Sequence, residues 1–206
     1  MRSIFFLLFL CFFLQLGAQD FSTKWLKEAA PRNIGPGGMS GRITSIDVVN
    51  SDSDIMYVGT ASGGLWKSTN AGQSWSMIFG TNTGINSVGV SSVAIDSNNT
   101  SIMYLGTGDI DAGDSPGYGV MKSTNAGKTW ILSNTGMGNR TVGRIIIDPT
   151  NSAILLASTN TGVYRSTNSG STWIRTSVST KATDLVFKPG NSNYVYAAFS
   201  NGHFYR

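Results

Sequence analysis

Short apolar segments separated by polar turns recur four times along this chain. In each repeat a first apolar segment, a polar turn and a second apolar segment follow one another at the same spacing. Runs of this length bounded by turn residues favour β-strands, and helical periodicity of any length is absent from the pattern. A glycine-containing loop and a third segment come next, so every repeat predicts at least three strands. The predicted second and third strands are Ile55–Thr60 and Leu65–Lys67, Ile102–Thr107 and Val120–Lys122, Ile154–Thr159 and Val163–Arg165, and Tyr194–Phe199 and His203–Tyr205.

An eight-residue motif follows the third strand in the first three repeats. Its Asn nucleates a turn through its side chain, and the Gly two residues later supplies a positive φ. A hydroxyl-bearing residue precedes a final Trp, which begins a fourth strand and offers a large apolar face for packing. The motif therefore predicts a hairpin corner with a structural role. Its shared positions are Ser68, Asn70, Gly72 and Trp75, then Ser123, Asn125, Gly127 and Trp130, then Ser166, Asn168, Gly170 and Trp173.

The repeats together predict a β-propeller. The Trp residues of successive motifs are 55 and 43 residues apart, a spacing typical of four-stranded propeller blades. Low charge and abundant Gly, Ser, Thr and Asn also suit an all-β protein with many turns. We predict an all-β fold, a β-propeller of four-stranded blades with three blades and a partial fourth. The predicted propeller covers residues 37–206, with blades at about 40–80, 88–135, 142–178 and 182–206.

The motif resembles the Asp box of the bacterial neuraminidase-type (BNR) repeat family, with Asn in place of the eponymous Asp in every copy. The resemblance implies that each box closes the hairpin between the third and fourth strands of a blade, away from the ligand face. The run Gly35–Thr44 and the segment Val58–Gly64 add a similarity to exported bacterial propeller proteins of the glycosyl hydrolase-like or sortilin-like type. Box proteins include sialidases, xyloglucan hydrolases, sortilin-type receptors and photosystem assembly factors, so the box alone selects no function.

The amino terminus has the pattern of a secretory signal peptide, residues 1–18. A positive start precedes the apolar stretch Ile4–Leu16, which is too short for a stable membrane span, and small residues suited to cleavage follow. Cys11 leaves with the signal, so the mature chain has no cysteine, which suits a bacterial secreted, periplasmic or cell-surface protein. We predict no transmembrane segment after cleavage. The scattered basic residues leave no nucleic-acid footprint, so we predict no nucleic-acid partner.

The fourth repeat stops at Arg206, before a box and an outer strand. Because a propeller hides its sheet edges by closing a ring, an unfinished blade leaves a strand edge exposed. We therefore expect the sequence to be an amino-terminal fragment of a longer protein. A complete ring of four blades closed by the amino-terminal lead, residues 19–36, is the other interpretation.

One loop on the ligand face implied by the resemblance is enlarged. From Thr107 to Ser123 there are 16 positions, against 8 and 7 in the first and third repeats. Alternating carboxylates and Gly in this insertion resemble half of a calcium loop, although no bidentate partner follows at the required spacing. The two interpretations are a ligand or calcium site and a solvated acidic loop. The inserted carboxylates are Asp109, Asp111 and Asp114.

Two arginines complete the predicted ligand-binding set. Arg42 and Arg144 each lie between a Gly and an Ile, just before or within a predicted innermost strand. Arg is suited to holding carboxylates or phosphates of a ligand. A structural pairing with a neighbouring Asp is the other interpretation.

Catalytic groups cannot be assembled from this sequence. The segment Tyr57–Lys67 resembles the first-blade segment of xyloglucan-specific hydrolases, in which a catalytic Asp follows the Thr, but Ala61 stands there. An inverting glycosidase needs two carboxyl groups, and His203, the only His, is interpreted as structural. We predict an exported, non-catalytic binding or scaffold propeller that recognises a peptide, protein or glycan, with no cofactor other than possible calcium. The alternative is a glycoside hydrolase of the xyloglucanase or sialidase type whose catalytic residues lie outside this sequence.

Overall fold

The computed structural model describes residues 42–80, 89–111 and 115–206, and the regular structure within these ranges is all β. The described strands all belong to one compact unit. The predicted signal peptide, the lead at 19–36 and Asp114 lie outside the described residues. Within the described ranges, no helix is long and apolar enough to cross a membrane. The strands are β1 Ile43–Val48, β2 Met56–Thr60, β3 Gly64–Ser68, β4 Ser76–Phe79, β5 Val90–Ile95, β6 Met103–Thr107, β7 Val120–Ser123, β8 Ile131–Leu132, β9 Val142–Ile147, β10 Leu155–Thr159, β11 Gly162–Ser166, β12 Ile174–Arg175, β13 Ala182–Lys188, β14 Asn191–Phe199 and β15 Phe204–Tyr205.

The strands form four antiparallel sheets in which consecutive strands are hydrogen-bonded neighbours. The orders are β1-β2-β3-β4, β5-β6-β7-β8, β9-β10-β11-β12 and β13-β14-β15. We call these sheets blades 1 to 4. Each blade is a meander with short connections, as the regular spacing of apolar segments predicts. Three blades of four strands and one of three strands match the predicted all-β propeller with a partial fourth blade.

The first strand of each blade lies next to the first strand of the following blade, with β1 beside β5, β5 beside β9 and β9 beside β13. The blades are thus arranged around a common axis with these inner strands closest to it, which is the propeller arrangement. Close approach between blades depends on small residues. A Cβ on Gly106 of β6 would lie 2.6 Å from a methyl carbon of Val142 on β9, so only glycine fits there.

A separate apolar cluster fills each space between successive blades, and equivalent repeat positions supply it. The first of these positions, for example, is Tyr57 in blade 1, Tyr104 in blade 2 and Leu156 in blade 3. Burial of these apolar side chains is the main favourable contribution to the packing of one blade against the next. The clusters include Tyr57, Leu65, Val93, Met103 and Met121 between blades 1 and 2, Tyr104, Val120, Ile145, Leu155 and Tyr164 between blades 2 and 3, and Leu156, Val163, Leu185, Ala197 and Phe199 between blades 3 and 4.

The box motifs form the hairpin corners between third and fourth strands, with the same hydrogen bonds in each copy. In blade 2 the Ser123 hydroxyl donates to Asn125 Oδ1 at 3.0 Å and accepts from the Gly127 N–H at 2.9 Å. Gly127 has the expected positive φ of 83°, but Ala126 before it also has a positive φ, 56°. From the sequence, this conformation is expected at the glycine alone. The corner therefore uses two left-handed residues in succession, and one of them is not glycine.

The third strand of blade 4 begins one residue later than the sequence pattern indicates. Tyr205 pairs with Ala197, as Tyr164 pairs with Ala157 in blade 3, so Phe204 stands at the position of Val163. His203 consequently precedes the strand, at the repeat position of Gly162, and is exposed. The predicted boundary at His203 is wrong because the alignment assigned the histidine to the first apolar position of the strand.

Candidate functional site

The enlarged loop of blade 2 folds back onto blade 1. This loop connects β6 to β7 over residues 108–119, and its residues 112–114 lie outside the described ranges. The Asp109 N–H donates to the Ser115 carbonyl at 3.0 Å, which draws the two ends of the loop together. The Ser115 hydroxyl then donates to the Ala61 carbonyl in blade 1 at 2.9 Å. The insertion is therefore anchored to the neighbouring blade.

An ion pair strengthens this anchor. Arg42 Nη2 lies 2.8 Å from Asp109 Oδ1 and 3.8 Å from Asp111 Oδ2. The Asp109 side chain is 1% exposed, the Arg42 side chain 48% and the Asp111 side chain 72%. Asp109 Oδ1 also accepts the Asp111 N–H at 3.1 Å, which shapes the loop locally. The expectation of a solvated acidic loop is wrong for Asp109, because the loop turns this carboxylate inward onto Arg42, and it holds for Asp111.

The next residue of the loop reaches blade 4. The Lys181 ammonium donates to the carbonyl oxygen of Ile110 at 2.5 Å. Asp109 and Ile110 therefore contact blade 1 and the segment that leads into blade 4, respectively. We call the surface formed by Arg42, the described loop residues 108–111 and 115–119, Lys181 and the ends of the inner strands beside them the loop face.

Arg42 and Lys181 occupy the same repeat position, directly before an inner strand. The Arg42 carbonyl accepts from the Ala61 N–H at 2.8 Å, and the Lys181 carbonyl accepts from the Ser200 N–H at 3.0 Å. The same bond joins the residue before each inner strand to the residue that follows the second strand in every blade. Sequence reasoning missed Lys181, and its repeat position was the signal that could have identified it.

The position of the catalytic Asp implied by the xyloglucanase resemblance is covered. Ala61 is 6% exposed, and both its N–H and its carbonyl are bonded, to Arg42 and Ser115 respectively. A Cβ on Gly89, the residue before β5, would lie 2.7 Å from the Ala61 carbonyl oxygen. The position therefore carries no carboxylate and lies beneath the anchored loop.

Arg144 on β9 pairs with a neighbouring inner strand. Its Nε lies 4.0 Å from Asp184 Oδ1 on β13, and both side chains are more than half exposed. This is the structural pairing that the sequence left open, and Asp184 was identifiable as the residue in register with Arg144. An ion pair this exposed contributes little to stability. Both charges remain accessible to a ligand near the axis.

Asp47 on β1 is a further acidic group of the inner strands that the sequence analysis did not select. Its Oδ2 accepts the Ile95 N–H and its Oδ1 the Val48 N–H, each at 2.9 Å. Desolvation raises the pKa of Asp47, while these N–H groups and the charge of Arg144 act in the opposite direction. The inner strands thus carry acidic and basic groups close together around the axis.

The box residues lie at the opposite ends of the strands from the loop face. The third strand of blade 1, β3, runs from the β2–β3 loop to the box over five residues, which spans roughly 16 Å. Box side chains bond mainly within their own hairpin. Asn125 Oδ1 accepts from the Thr129 N–H at 2.9 Å, and its Nδ2 donates to the Thr129 hydroxyl at 2.8 Å. This geometry gives the boxes a structural role.

The described residues contain no group of three or more His, Cys, Asp or Glu side chains that could hold a metal ion. A guanidinium within 4 Å of Asp109 and Asp111 opposes a cation at that point. Asp114, the third carboxylate of the predicted calcium site, lies outside the described residues.

The propeller and its loop face can be compared with known proteins. No protein-family profile matches the chain. It is 28% identical over 135 residues to a xyloglucanase of Hypocrea jecorina (strain QM6a), a match that covers 60% of this chain and 16% of that enzyme. Its fold is similar to an ancestral GH74 enzyme, with a TM-score of 0.59 and 23% identity over 80% of this chain and 25% of that one. It is also similar to YCF48 in a structure bound to D1 peptide, with a TM-score of 0.54 and 15% identity over 78% of this chain and 47% of that one.

These similarities define the class of protein as a β-propeller. The chain spans only 16% of the xyloglucanase and 25% of the ancestral enzyme. At the identities of the two solved structures, the likeness concerns the fold. The proteins named above include a xyloglucanase and a protein solved with a peptide, so they do not select one ligand class.

Proposed function

We propose that this chain is an exported, non-catalytic binding propeller whose loop face recognises a glycan. The observation that carries the proposal is the identity of residue 61. The resembled xyloglucan hydrolases have a catalytic Asp at this position, whereas here it is Ala61, which lies beneath the anchored loop. A peptide or a protein is the other kind of ligand expected for such a propeller. The xyloglucanase relative favours a glycan among them.

The groups on the loop face suit a neutral, hydroxyl-rich ligand. Arg42 and Arg144 offer charged donors, and Asp111 and Asp184 offer charged acceptors, all on half-exposed or exposed side chains. Sugar hydroxyls both donate and accept hydrogen bonds, so mixed charges can engage them without requiring a charged ligand.

The carboxylate at the centre of the anchor is poorly placed for acid–base catalysis. Asp109 is almost fully buried and its Oδ1 is held by Arg42. A glycosidase requires two carboxyl groups that reach opposite sides of the scissile bond. Asp109 therefore supports the loop, and binding is left to the exposed groups around it.

The second candidate function is glycoside hydrolysis, which the xyloglucanase relative favours. In that case the catalytic carboxylates would come from residues outside this sequence. The described blades would then contribute substrate contacts through the same loop face.

One experiment separates the two candidates. The protein is expressed from its complete gene, with any residues beyond this sequence included, and is run through native gels with and without xyloglucan. The release of reducing ends from the same polysaccharide is assayed in parallel. We expect slower migration in the polysaccharide gel and no new reducing ends. Release of reducing ends would establish the hydrolase alternative. Unchanged migration in xyloglucan and in other soluble β-glucans would overturn glycan recognition.

Three finer assignments accompany the proposal. We infer that the motifs are Asp boxes in which Asn serves the role of Asp, in a propeller of the glycosyl hydrolase-like or sortilin-like type. Residues 1–18 are assigned as the signal peptide of a bacterial secreted, periplasmic or cell-surface protein. Calcium is the one cofactor to test, since Asp111 is exposed and Asp114 follows in the same loop.

A further inference from the structure

The segment that connects blades 2 and 3 brings an arginine to the edge of blade 3. This segment, residues 133–141, runs from β8 to β9. The Arg140 carbonyl accepts the Gly119 N–H at 2.8 Å, and a Cβ on Gly117 would lie 2.2 Å from the same carbonyl oxygen. The backbone of Arg140 is therefore packed directly against the enlarged loop, beside the loop face.

The side chain of Arg140 is partly buried, and its charge is not neutralised by a described carboxylate. Its Nη1 donates to the Asn139 carbonyl at 3.1 Å, and its Nε is buried without a hydrogen-bond partner among the described residues. Within the same ranges it forms no salt bridge with an Asp or Glu. A buried charged donor without an acceptor is uncommon in folded proteins, because its desolvation is costly. The fold therefore holds this guanidinium in place with hydrogen-bonding capacity to spare.

Tyr164 of β11 lies beside this guanidinium. It is buried and belongs to the apolar cluster between blades 2 and 3, and its hydroxyl lies 3.4 Å from the Thr161 hydroxyl. Burial acts to raise the pKa of Tyr164, but hydrogen bonding with Thr161 and Arg140 and the charges of Arg140 and Arg175 hold it below its ordinary value of 10.0. The surroundings of this hydroxyl are therefore positively charged.

The second arginine of this group is Arg175 of β12. It pairs with Tyr164 across the two antiparallel strands, so both side chains lie on the same face of blade 3. Its Cδ would lie 3.4 Å from a Cβ on Gly162, which places the side chain beside the β10–β11 turn that carries Thr161. Arg175 is exposed and, in the part of the chain that the structure describes, has no carboxylate in salt-bridge contact.

Two guanidinium groups and two hydroxyls thus come together where blades 2 and 3 meet, next to the loop face. Guanidinium groups bind carboxylates through paired, charge-assisted hydrogen bonds, and a Tyr or Thr hydroxyl can donate one more. The arginines selected from the sequence differ from these two, because Arg42 and Arg144 are each paired with an Asp. Positive charge that no described carboxylate balances favours an anionic ligand group at this place.

We propose that Arg140, Tyr164 and Arg175 bind the carboxylate of an acidic sugar residue. The carboxylate accepts hydrogen bonds from the two guanidinium groups, and the Tyr164 hydroxyl donates to it. The inference rests on the proposed glycan recognition at the adjoining loop face, and it specifies that the glycan carries a uronic acid. The site lies between two blades that each have four strands, so it does not involve the partial fourth blade.

The test uses the protein expressed from its complete gene, and its probes are D-glucuronate, D-glucose and acetate at equal ionic strength. Binding is measured by saturation-transfer difference NMR, which detects weak and rapidly exchanging ligands, and acetate is measured by its displacement of glucuronate. We expect saturable binding of glucuronate and about tenfold or more weaker binding of the other two. Glucose lacks the carboxylate, and acetate lacks the sugar hydroxyls that a glycan site also bonds.

Protein variants locate the site. Arg140→Gln and Arg175→Gln should each weaken glucuronate binding about tenfold or more, because each removes a charged donor. Arg165→Gln is the matched control and should bind as the parent does. Arg165 is exposed and follows Tyr164 on the same strand, so its side chain lies on the opposite face of blade 3. Thermal unfolding should confirm that all three variants fold.

The outcomes separate this inference from the proposed function. The acidic-sugar site is overturned if glucuronate does not bind, if glucose or acetate binds equally well, or if Arg165→Gln weakens binding as much as the other two variants. Neutral xyloglucan oligosaccharides are titrated into the same proteins and should bind the parent and Arg140→Gln equally. Their binding without any glucuronate binding would overturn the acidic-sugar site alone, whereas no binding of any sugar would overturn glycan recognition as well.

Discussion

Arg42 and Lys181 stand at the same repeat position in blades 1 and 4, and adjacent residues of one loop bind both. Arg42 pairs with the Asp109 carboxylate at 2.8 Å, and Lys181 donates to the Ile110 carbonyl at 2.5 Å. The insertion of blade 2 is therefore a brace that connects blade 1 to the segment leading into blade 4. A brace of this kind makes the loop face a preorganised surface, and preorganisation lowers the ordering cost of binding.

The brace predicts a stability role for Arg42. Arg42→Ala removes the partner of a buried carboxylate, and we expect a loss of about 1.5–3 kcal/mol in the free energy of unfolding, the range for hydrogen bonds to charged groups. Asp111→Asn alters a carboxylate that is 72% exposed and should cost less than about 1 kcal/mol. Urea denaturation followed by circular dichroism measures both. Equal, small losses would mean that the Asp109 pair does not brace the loop.

The three box Trp residues should differ in their contribution to stability. Trp173 is buried and doubly bonded to blade 2, so Trp173→Ala should cost about 3–5 kcal/mol, as for other buried aromatics. Trp130 is only partly buried, and its Nε1 has no hydrogen-bond partner among the described residues. Trp75 is also partly buried. Denaturant titration should rank Trp173→Ala above the Ala variants at the other two positions, and equal losses at all three would mean that the burial of Trp173 and its bonds to blade 2 add nothing to stability.

The polar turn between β9 and β10 of blade 3 predicts a pH-dependent contribution to the free energy of unfolding. Asp148 Oδ1 accepts from the Thr150 N–H at 2.8 Å and from the Thr150 hydroxyl at 2.7 Å. Burial acts to raise the pKa of Asp148, but these hydrogen bonds, with help from Ser192, hold it below its ordinary value of 3.8. A lowered carboxylate pKa stabilises the fold above the unfolded value, and this contribution is lost as pH falls through the folded value.

Thr150→Val tests this term. We expect a loss of about 1 kcal/mol at pH 7, because one hydrogen bond to the carboxylate disappears. The difference between parent and variant should be smaller at a pH well below the ordinary value of 3.8 than at pH 7, because Asp148 takes up a proton as pH falls through its lowered pKa. A difference that is the same at both pH values would show that the hydroxyl does not act through the Asp148 charge.

Calcium should leave the protein unchanged if the guanidinium of Arg42 governs the loop. A ligand that binds only the folded state raises Tm, by an amount that grows with the logarithm of its concentration relative to Kd. We therefore expect the same Tm with millimolar calcium as with a chelator, and the same result for Asp111→Asn. A rise in Tm with calcium that disappears in this variant would establish a calcium site in the loop.

Most of the fold could be predicted from the sequence because the strands and turns of each repeat depend on residues that are close together in the chain. The alternation of apolar segments and turns defines the strands, and the boxes define the hairpin corners. The second left-handed residue of each corner, such as Ala126, was missed because its φ is imposed by the bonds that Ser123 makes across the turn. The third strand of blade 4 begins at Phe204 and not at His203. This was missed because the fourth repeat has no box from which the start of its third strand could be aligned.

The candidate site was less predictable, since it depends on contacts between distant segments. The pattern singled out Arg42, Asp109 and Asp111 individually, but nothing local indicates that residues 67 positions apart form an ion pair. The burial of Asp109 follows from the fold of the loop onto blade 1. Lys181 and Asp184 became evident only through their repeat positions beside Arg42 and Arg144.

The most direct test of glycan recognition at the loop face is calorimetric titration of the full chain with xyloglucan oligosaccharides. The double variant Asp111→Asn, Arg144→Gln removes two exposed charges from the loop face, and Lys128→Gln removes an exposed charge from a box as the control. We predict that the parent and Lys128→Gln bind with equal affinity, that the double variant binds at least tenfold more weakly, and that the oligosaccharides are recovered uncleaved. Equal binding by the double variant and the parent, or cleavage of the oligosaccharides, would contradict the account.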